Sequence, residues 1–326
     1  MTSSHHNIHE PANLRDAARI AAVLAKSPVS YKPFHRAVRA AQNHGLTLGR
    51  LFALPLEELA RLPEMTCSSM ARMTQVIAGC AEERVEEMEQ RLRELTEANV
   101  SVRTAWDEAY PPALRDNLGM YAPPLLFLVG DEKVLNQPGL GIVGTTKPAP
   151  LTVDIAGDCA GVAVEAGYAV VSGGAVGVDQ IAQQGARLSD GGVLQVLPKG
   201  LCPPVDHGYE AVPNELTVTP YLPNEAWAPY RAINRNDIIA SFSRAVCALE
   251  PRRNEGAART ARVALDQGKS AWVYPHTGSG PAELHKLGAQ HLPVMADDSL
   301  DDERFQAQLA APPTPQPPTR MQGELF

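Results

Sequence analysis

The sequence predicts an α/β fold: a Rossmann-like, doubly wound, mostly parallel sheet preceded by a small all-helical domain. Two observations predict it. After Tyr110-Pro111-Pro112, short apolar runs alternate with small-residue helical stretches, the pattern of a parallel sheet covered on both faces. Before that point the spacing of apolar residues is helical throughout. A chain of 326 residues, 44% hydrophobic and 20% charged, has room for about two domains and is neither wholly disordered nor collagen-like.

Residues 1–12 read as a loose tail, with His5, His6 and His9 in polar surroundings. Residues 13–100 form the helical domain. Leu14 to Ala25 repeats apolar residues at helical spacing, and Leu51, Leu54, Leu59 and Leu62 continue the pattern around Pro55 and Pro63. Between Ala81 and Ala98 lie seven Glu and three Arg, with Val85, Met88, Leu92 and Leu95 on one face, which predicts an amphipathic helix with a solvated acidic side.

The Rossmann-like domain spans 105–296. Its strand candidates are Leu125–Val129, Leu140–Val143, Tyr168–Val171, Val193–Leu197, Leu216–Thr219, Ala245–Leu249 and Ala271–Tyr274, with helices at Val153–Ala166, Val178–Leu188, Asn234–Phe242 and Gly256–Gln267. The last segment, 297–326, begins with five acidic residues by 303 and has five prolines between Pro312 and Pro318, so it reads as an extended disordered tail.

Composition also limits function. The longest strongly apolar run is far short of the ~20 residues of a membrane helix, and no signal peptide is visible. Twenty-nine basic and 37 acidic residues give −8, which excludes a uniformly basic nucleic-acid coat but not a local basic face. Cys67, Cys80, Cys159, Cys202 and Cys247 are far apart and form no Cys-x-x-Cys; they read as buried reduced thiols of a cytoplasmic protein with no metal site and no cofactor.

Three segments carry candidate chemistry. Gly141 to Lys147 closes a strand, and in an open α/β sheet ligands bind at the C-terminal ends of strands. There Gly144 allows close backbone approach, Thr145 and Thr146 offer hydroxyls, Lys147 a charge, and the helix starting near Thr152 its N-terminal dipole. Ser172-Gly173-Gly174-Ala175-Val176-Gly177-Val178-Asp179 offers loop amides as an anion cradle, or simply turn glycines and a helix-capping Asp179; it is not the dinucleotide fingerprint. Arg235 lies between Asn234 and Asn236 at an apparent helix start, a cluster suited to phosphate or base contact or to capping and a structural ion pair.

From Ala105 to Leu292 these motifs, in order, resemble the DNA-processing protein A family (DprA, or Smf). Tyr110-Pro111-Pro112-Ala113-Leu114, Pro123 to Phe127 with Gly130, Val143 to Thr146, Ser172 to Asp179 and Arg235 to Ser243 correspond to the family's motifs. The resemblance implies that the helical domain is SAM-like, and that it precedes a Rossmann-like domain that binds single-stranded DNA, helps to load a RecA-type recombinase, associates as a homodimer and does no catalysis. Its phosphate contacts would fall on Gly144, Thr145, Lys147, Ser172, Gly173, Gly174, Arg235 and Asn236. Thr146, Val176 and Asp237 stand where the family has basic residues, and Gln183 where it has a histidine. Arg252 and Arg253 are candidate substitutes, within a stretch from Arg231 to Lys269 that holds eight basic against four acidic residues. The family's frequent C-terminal winged-helix domain is not present in the sequence.

A second reading, with fewer arginines in the pocket, is a nucleotide-sensing domain. A third is a nucleoside-monophosphate hydrolase, for which Pro275 to Gly280 lacks the paired glycine and Glu283 is a lone general-base candidate. Finally, Gln322, Glu324, Leu325 and Phe326 resemble the pentapeptide that binds the bacterial sliding clamp, with Gly323 departing from the usual Leu. Leu325 and Phe326 would fill an apolar pocket, each contributing up to ~2–3 kcal/mol, and the proline-rich linker would present them.

Overall fold

The computed structural model describes residues 14–26, 31–201, 212–275 and 277–311. These residues divide into two compact units: one reaches Leu128 and takes in Pro220–Glu225, and the other holds Val129–Lys199 and the chain from Ala226 onward, with the strand that ends at Thr219.

In the first unit the elements run α1 (Leu14–Lys26), α2 (Tyr31–Asn43), α3 (Leu48–Ala53), α4 (Leu56–Leu59), α5 (Ser68–Ala78), α6 (Glu82–Glu97), β1 (Ser101–Thr104), α7 (Pro112–Leu118) and the start of β2 (Leu125–Gly130). The predicted face of α6 is the buried one, with Val85, Met88, Leu92 and Leu95 all covered. Helix α1, whose Ile20 and Val23 are buried, packs along it, and Arg15 ties the pair on the solvent side by bonding Glu89 at 2.7 Å. Strand β1 lay outside the predicted strands because Ser101, Arg103 and Thr104 are polar. It is buried along its whole length and pairs antiparallel with β2, Val102 opposite Phe127. Buried Arg103 donates through Nη1 to the Ala109 carbonyl at 3.0 Å.

The second unit continues with β3 (Gly139–Gly144), α8 (Pro150–Glu165), β4 (Ala169–Ser172), α9 (Val178–Leu188), β5 (Val193–Val196), β6 (Glu215–Thr219), α10 (Pro229–Phe242), β7 (Ser243–Leu249), α11 (Gly256–Asp266), β8 (Ser270–Tyr274), α12 (Ser279–Lys286), β9 (Gln290–His291) and α13 (Asp302–Ala310). Its strands lie in the order β6-β5-β4-β3-β7-β8-β9, and every neighbouring pair is parallel. Helices α8, α9 and α13 build one core layer with Leu140, Ile142, Cys247 and Trp272, while α10 and α11 pack on the same strands outside that layer. The sheet is therefore doubly wound, and each predicted run from Leu125 onward is a strand.

Several boundaries differ from those the sequence suggested. Helix α8 starts at Pro150 and α10 at Pro229, each with proline in its first turn, where the missing N–H costs nothing. Asn234, Arg235 and Asn236 therefore sit inside α10 rather than at its start. The stretch from 297, read as a tail, contains α13, whose Phe305 and Leu309 are buried. Phe305 stacks edge-on against Trp272 with ring centroids 5.4 Å apart, and the Tyr168 hydroxyl donates to the Leu309 carbonyl at 2.8 Å. Of the described cysteines, Cys159 and Cys247 are buried as expected, but Cys67 is exposed and Cys80 half-buried; none of the four is in a disulfide. Residues 312–326, with the clamp-like Gln322, Glu324, Leu325 and Phe326, lie outside the described residues.

Candidate functional site

The chain winds outward from β3 through β4, β5 and β6, then returns to place β7 on the other side of β3. That reversal is a topological switch point, where open α/β sheets form their binding crevice. Three loops meet at this edge: the one after β3 (Thr145 to Ala149), the one after β4 (Gly173 to Gly177) and the one after β7 (Glu250 to Glu255). Backbone hydrogen bonds stitch them together. The Thr145 amide donates to the Leu249 carbonyl at 3.2 Å, and the Val178 amide to the Thr145 carbonyl at 3.2 Å. The Ala149 amide donates to the Glu250 carboxylate at 2.7 Å.

Asp179, in the first turn of α9, organises the glycine loop. Its carboxylate accepts from the amides of Gly173 at 3.1 Å and Ala175 at 3.4 Å, and from the Gly144 amide as well. The amides that the sequence suggested as an anion cradle thus converge on the protein's own carboxylate. Burial pushes the Asp179 carboxyl above its ordinary range, opposed by the Arg235 guanidinium and by those donors. Glu250 occupies the other expected anion site, its carboxylate accepting from the Ala149 amide at the N-terminus of α8.

The predicted contact residues separate into two groups. Ser172, Arg235 and Asn236 are buried. The Ser172 hydroxyl donates to the Ile142 carbonyl at 2.7 Å, and Arg235 Nη1 donates to the Val196 carbonyl at 2.8 Å. The Ser172 and Arg235 side chains bond inward to the backbone of neighbouring strands, and none of the three is exposed. Thr145 is also buried, its hydroxyl accepting from the Lys147 amide at 3.3 Å. Lys147 is exposed, and Gly174 is half-exposed at the rim. Arg252 and Arg253 are exposed on the loop after β7, at 67% and 69%.

Several cations of the basic stretch are paired within the fold. Asp237, where the sequence suggested a lost positive charge, accepts from Nε and Nη2 of Arg259 at 3.0 and 2.8 Å. Burial still raises the Asp237 carboxyl, with Arg259 pulling it back down. Arg253 reaches Glu283 at 3.0 Å, and Arg262 pairs with the other oxygen of the same carboxylate, so the lone general-base candidate sits between two cations. Arg252 is 3.8 Å from Glu255. Lys147 has no acidic partner among the described residues. The described residues hold no cluster of three or more His, Cys, Asp or Glu that could bind a metal, and no helix long and apolar enough to cross a membrane.

Sequence reasoning took Asp179 as a helix cap and missed it as the anchor of three loop amides. The signal available was an acid four residues after Ala175 in a glycine loop, but the Gly144 donor comes from a separate strand.

Residues 101–302 match the model of the family described as DNA recombination-mediator protein A. A DNA processing protein DprA of Mycobacterium tuberculosis is 31% identical over 193 residues, covering 56% of this chain and 49% of that one. The Bacillus subtilis DNA processing protein DprA is 26% identical over 188 residues, covering 53% and 62%. The chain thus spans about half the length of the mycobacterial relative. Among solved structures, DNA processing protein A of Streptococcus pneumoniae aligns with a TM-score of 0.63 at 18% identity, over 90% of this chain and 97% of that one. The Helicobacter pylori protein, whose structure was described for its single-stranded DNA binding mode, aligns at 0.52 with 24% identity, over 64% and 95%. At these identities the structural likeness establishes the fold.

Proposed function

This chain belongs to the DNA recombination-mediator protein A family, and on that premise we propose that it is a non-catalytic accessory protein that binds single-stranded DNA at the switch-point edge. The observation that carries the reading is the three-loop edge itself, with Lys147, Arg252 and Arg253 exposed on a rigid, hydrogen-bonded frame. Such a frame positions a phosphate backbone without reading its sequence. Because Asp179 and Glu250 occupy the amide sites, phosphate contact falls to these few side chains and the exposed loop backbone.

A fluorescence titration with a short single-stranded oligonucleotide tests the reading. Saturable binding, weakened when Lys147, Arg252 and Arg253 are all changed to Ala, is the expected result. No binding even at low salt, where electrostatic attraction is strongest, would overturn it.

The proposal includes a RecA-type recombinase as partner, self-association as a homodimer, and a tether to the replication sliding clamp through Gln322, Glu324, Leu325 and Phe326. A clamp holding the tail would keep the DNA-binding unit at high effective concentration near DNA. Retention of the wild type on immobilised clamp and loss of the Leu325→Ala/Phe326→Ala variant is expected; equal retention of both, or of neither, rules the tether out.

A further inference from the structure

The sheet of the second unit ends at β9, a two-residue strand with both residues exposed. Helix α12 leads into it through a tight turn. The Gly288 amide donates to the His285 carbonyl and the Ala289 amide to the Leu284 carbonyl, both at 3.0 Å, with Gly288 at φ +101°. A glycine in this left-handed position ends the helix and reverses the chain. The turn brings His285, in the last turn of α12, against His291 of β9. Their ring centroids are 4.1 Å apart and the ring planes are inclined at 45°.

One hydrogen bond fixes the tautomer of His285. Its Nδ1 lies 2.8 Å from the Ala289 carbonyl; a carbonyl only accepts, so Nδ1 carries the proton. In the neutral ring Nε2 is then a bare lone pair, and it is buried with no hydrogen-bond partner. Leaving a buried polar atom unmet is costly. An imidazole that gives one N–H to a backbone carbonyl and keeps a lone pair on the other nitrogen has the arrangement of a metal-ligating histidine. The ring packed against it is a second imidazole.

We propose that His285 and His291 together bind a borderline divalent cation of the Zn²⁺ or Cu²⁺ class, His285 ligating through Nε2. Imidazole nitrogen suits these ions, whereas Mg²⁺ takes oxygen donors. Two imidazoles on one tetrahedral Zn²⁺ have ring centroids about 5 Å apart, so the pair opens by about 1 Å on binding. His291, exposed on the edge strand, is the ring with room to turn. Among the described residues no cluster of three or more His, Cys, Asp or Glu is present, so water or a donor from a bound molecule completes the coordination. No residue of the three-loop edge takes part, and the proposal does not rest on the DNA-binding reading.

The test is equilibrium dialysis of the full-length chain against zinc chloride and copper(II) chloride, with magnesium chloride as the control. It is repeated on full-length His285→Gln and His291→Gln. His5, His6 and His9 are common to all three proteins, so the difference between proteins is the reading. The wild type is expected to bind one more Zn²⁺ than either variant, loss of a direct ligand weakening that site by at least about tenfold. Zn²⁺ should also raise the melting temperature of the wild type by binding the folded state, and that rise should shrink in both variants. A merely structural His285 would lower the melting temperature equally with Zn²⁺ and with chelator. His291 is exposed, so His291→Gln folds and decides the question alone if His285→Gln does not. The proposal is overturned if the wild type binds no extra Zn²⁺ or Cu²⁺, if it takes up Mg²⁺ equally well at this site, or if either folded variant retains the extra ion.

Discussion

The Arg235 guanidinium occupies the space that a side chain on Gly173 would need: a Cβ built there would lie 1.5 Å from Nη1. The two residues come from α10 and the loop after β4, and both face Asp179, which accepts from the Gly173 amide and feels the charge of Arg235. This triad fixes the edge at which the strand is proposed to bind.

Gly173→Ala should therefore destabilise the protein by about 2–4 kcal/mol, because the methyl displaces a buried, hydrogen-bonded guanidinium from its counter-charge. Urea unfolding measures it. In the Arg235→Ala background the same substitution should cost at least about 1 kcal/mol less, since the clash is gone. Additive costs in the double variant would show that the two residues do not share this space.

Phe305→Ala should cost about 3–5 kcal/mol in the same measurement, as expected for a fully buried aromatic. A loss below about 1 kcal/mol would mean that α13 does not belong to the core of the second unit.

Lys269 supplies a pH test. Its ammonium is buried and donates to the carbonyls of Ala240 at 2.7 Å and Ser241 at 3.1 Å, and burial lowers its pKa from 10.5 to about 7. Between those values the unfolded chain holds a proton that the native state has released, so this group makes stability rise with pH across that window. At and below pH 7 the burial penalty on the charge is fully present. Lys269→Met should therefore gain most in melting temperature, relative to wild type, near pH 7, and the gain should shrink toward pH 10. A constant difference from pH 7 to 10 would show that the ammonium is not strained by burial.

Much of the second unit could be read in the sequence, because its strands are continuous apolar runs separated by helices, and that pattern is local. Strand β1 could not, since Ser101 and Thr104 are polar and their burial comes from packing that no local window contains. Helix α13 was obscured by its acidic surroundings; only Phe305 and Leu309 bury its face. The site was half readable. The glycine loops stand where the motifs put them, but Arg235 is charged and reads as a surface contact. Its role as an internal strut depends on Asp179 and on the Val196 carbonyl, which are distant in sequence. The pairing of Arg259 with Asp237 and of Arg262 with Glu283 likewise depends on which helices neighbour one another.

The most direct test of the account is the salt dependence of single-stranded DNA affinity. Log affinity against log salt falls by about 0.7 for each phosphate neutralised on a single strand. With the buried arginines excluded and Lys147, Arg252 and Arg253 as the exposed contacts, the slope should be no steeper than about −2, and Lys147→Ala should reduce it by about 0.7. A slope of −4 or steeper, or a Lys147→Ala slope equal to that of the wild type, would contradict the account.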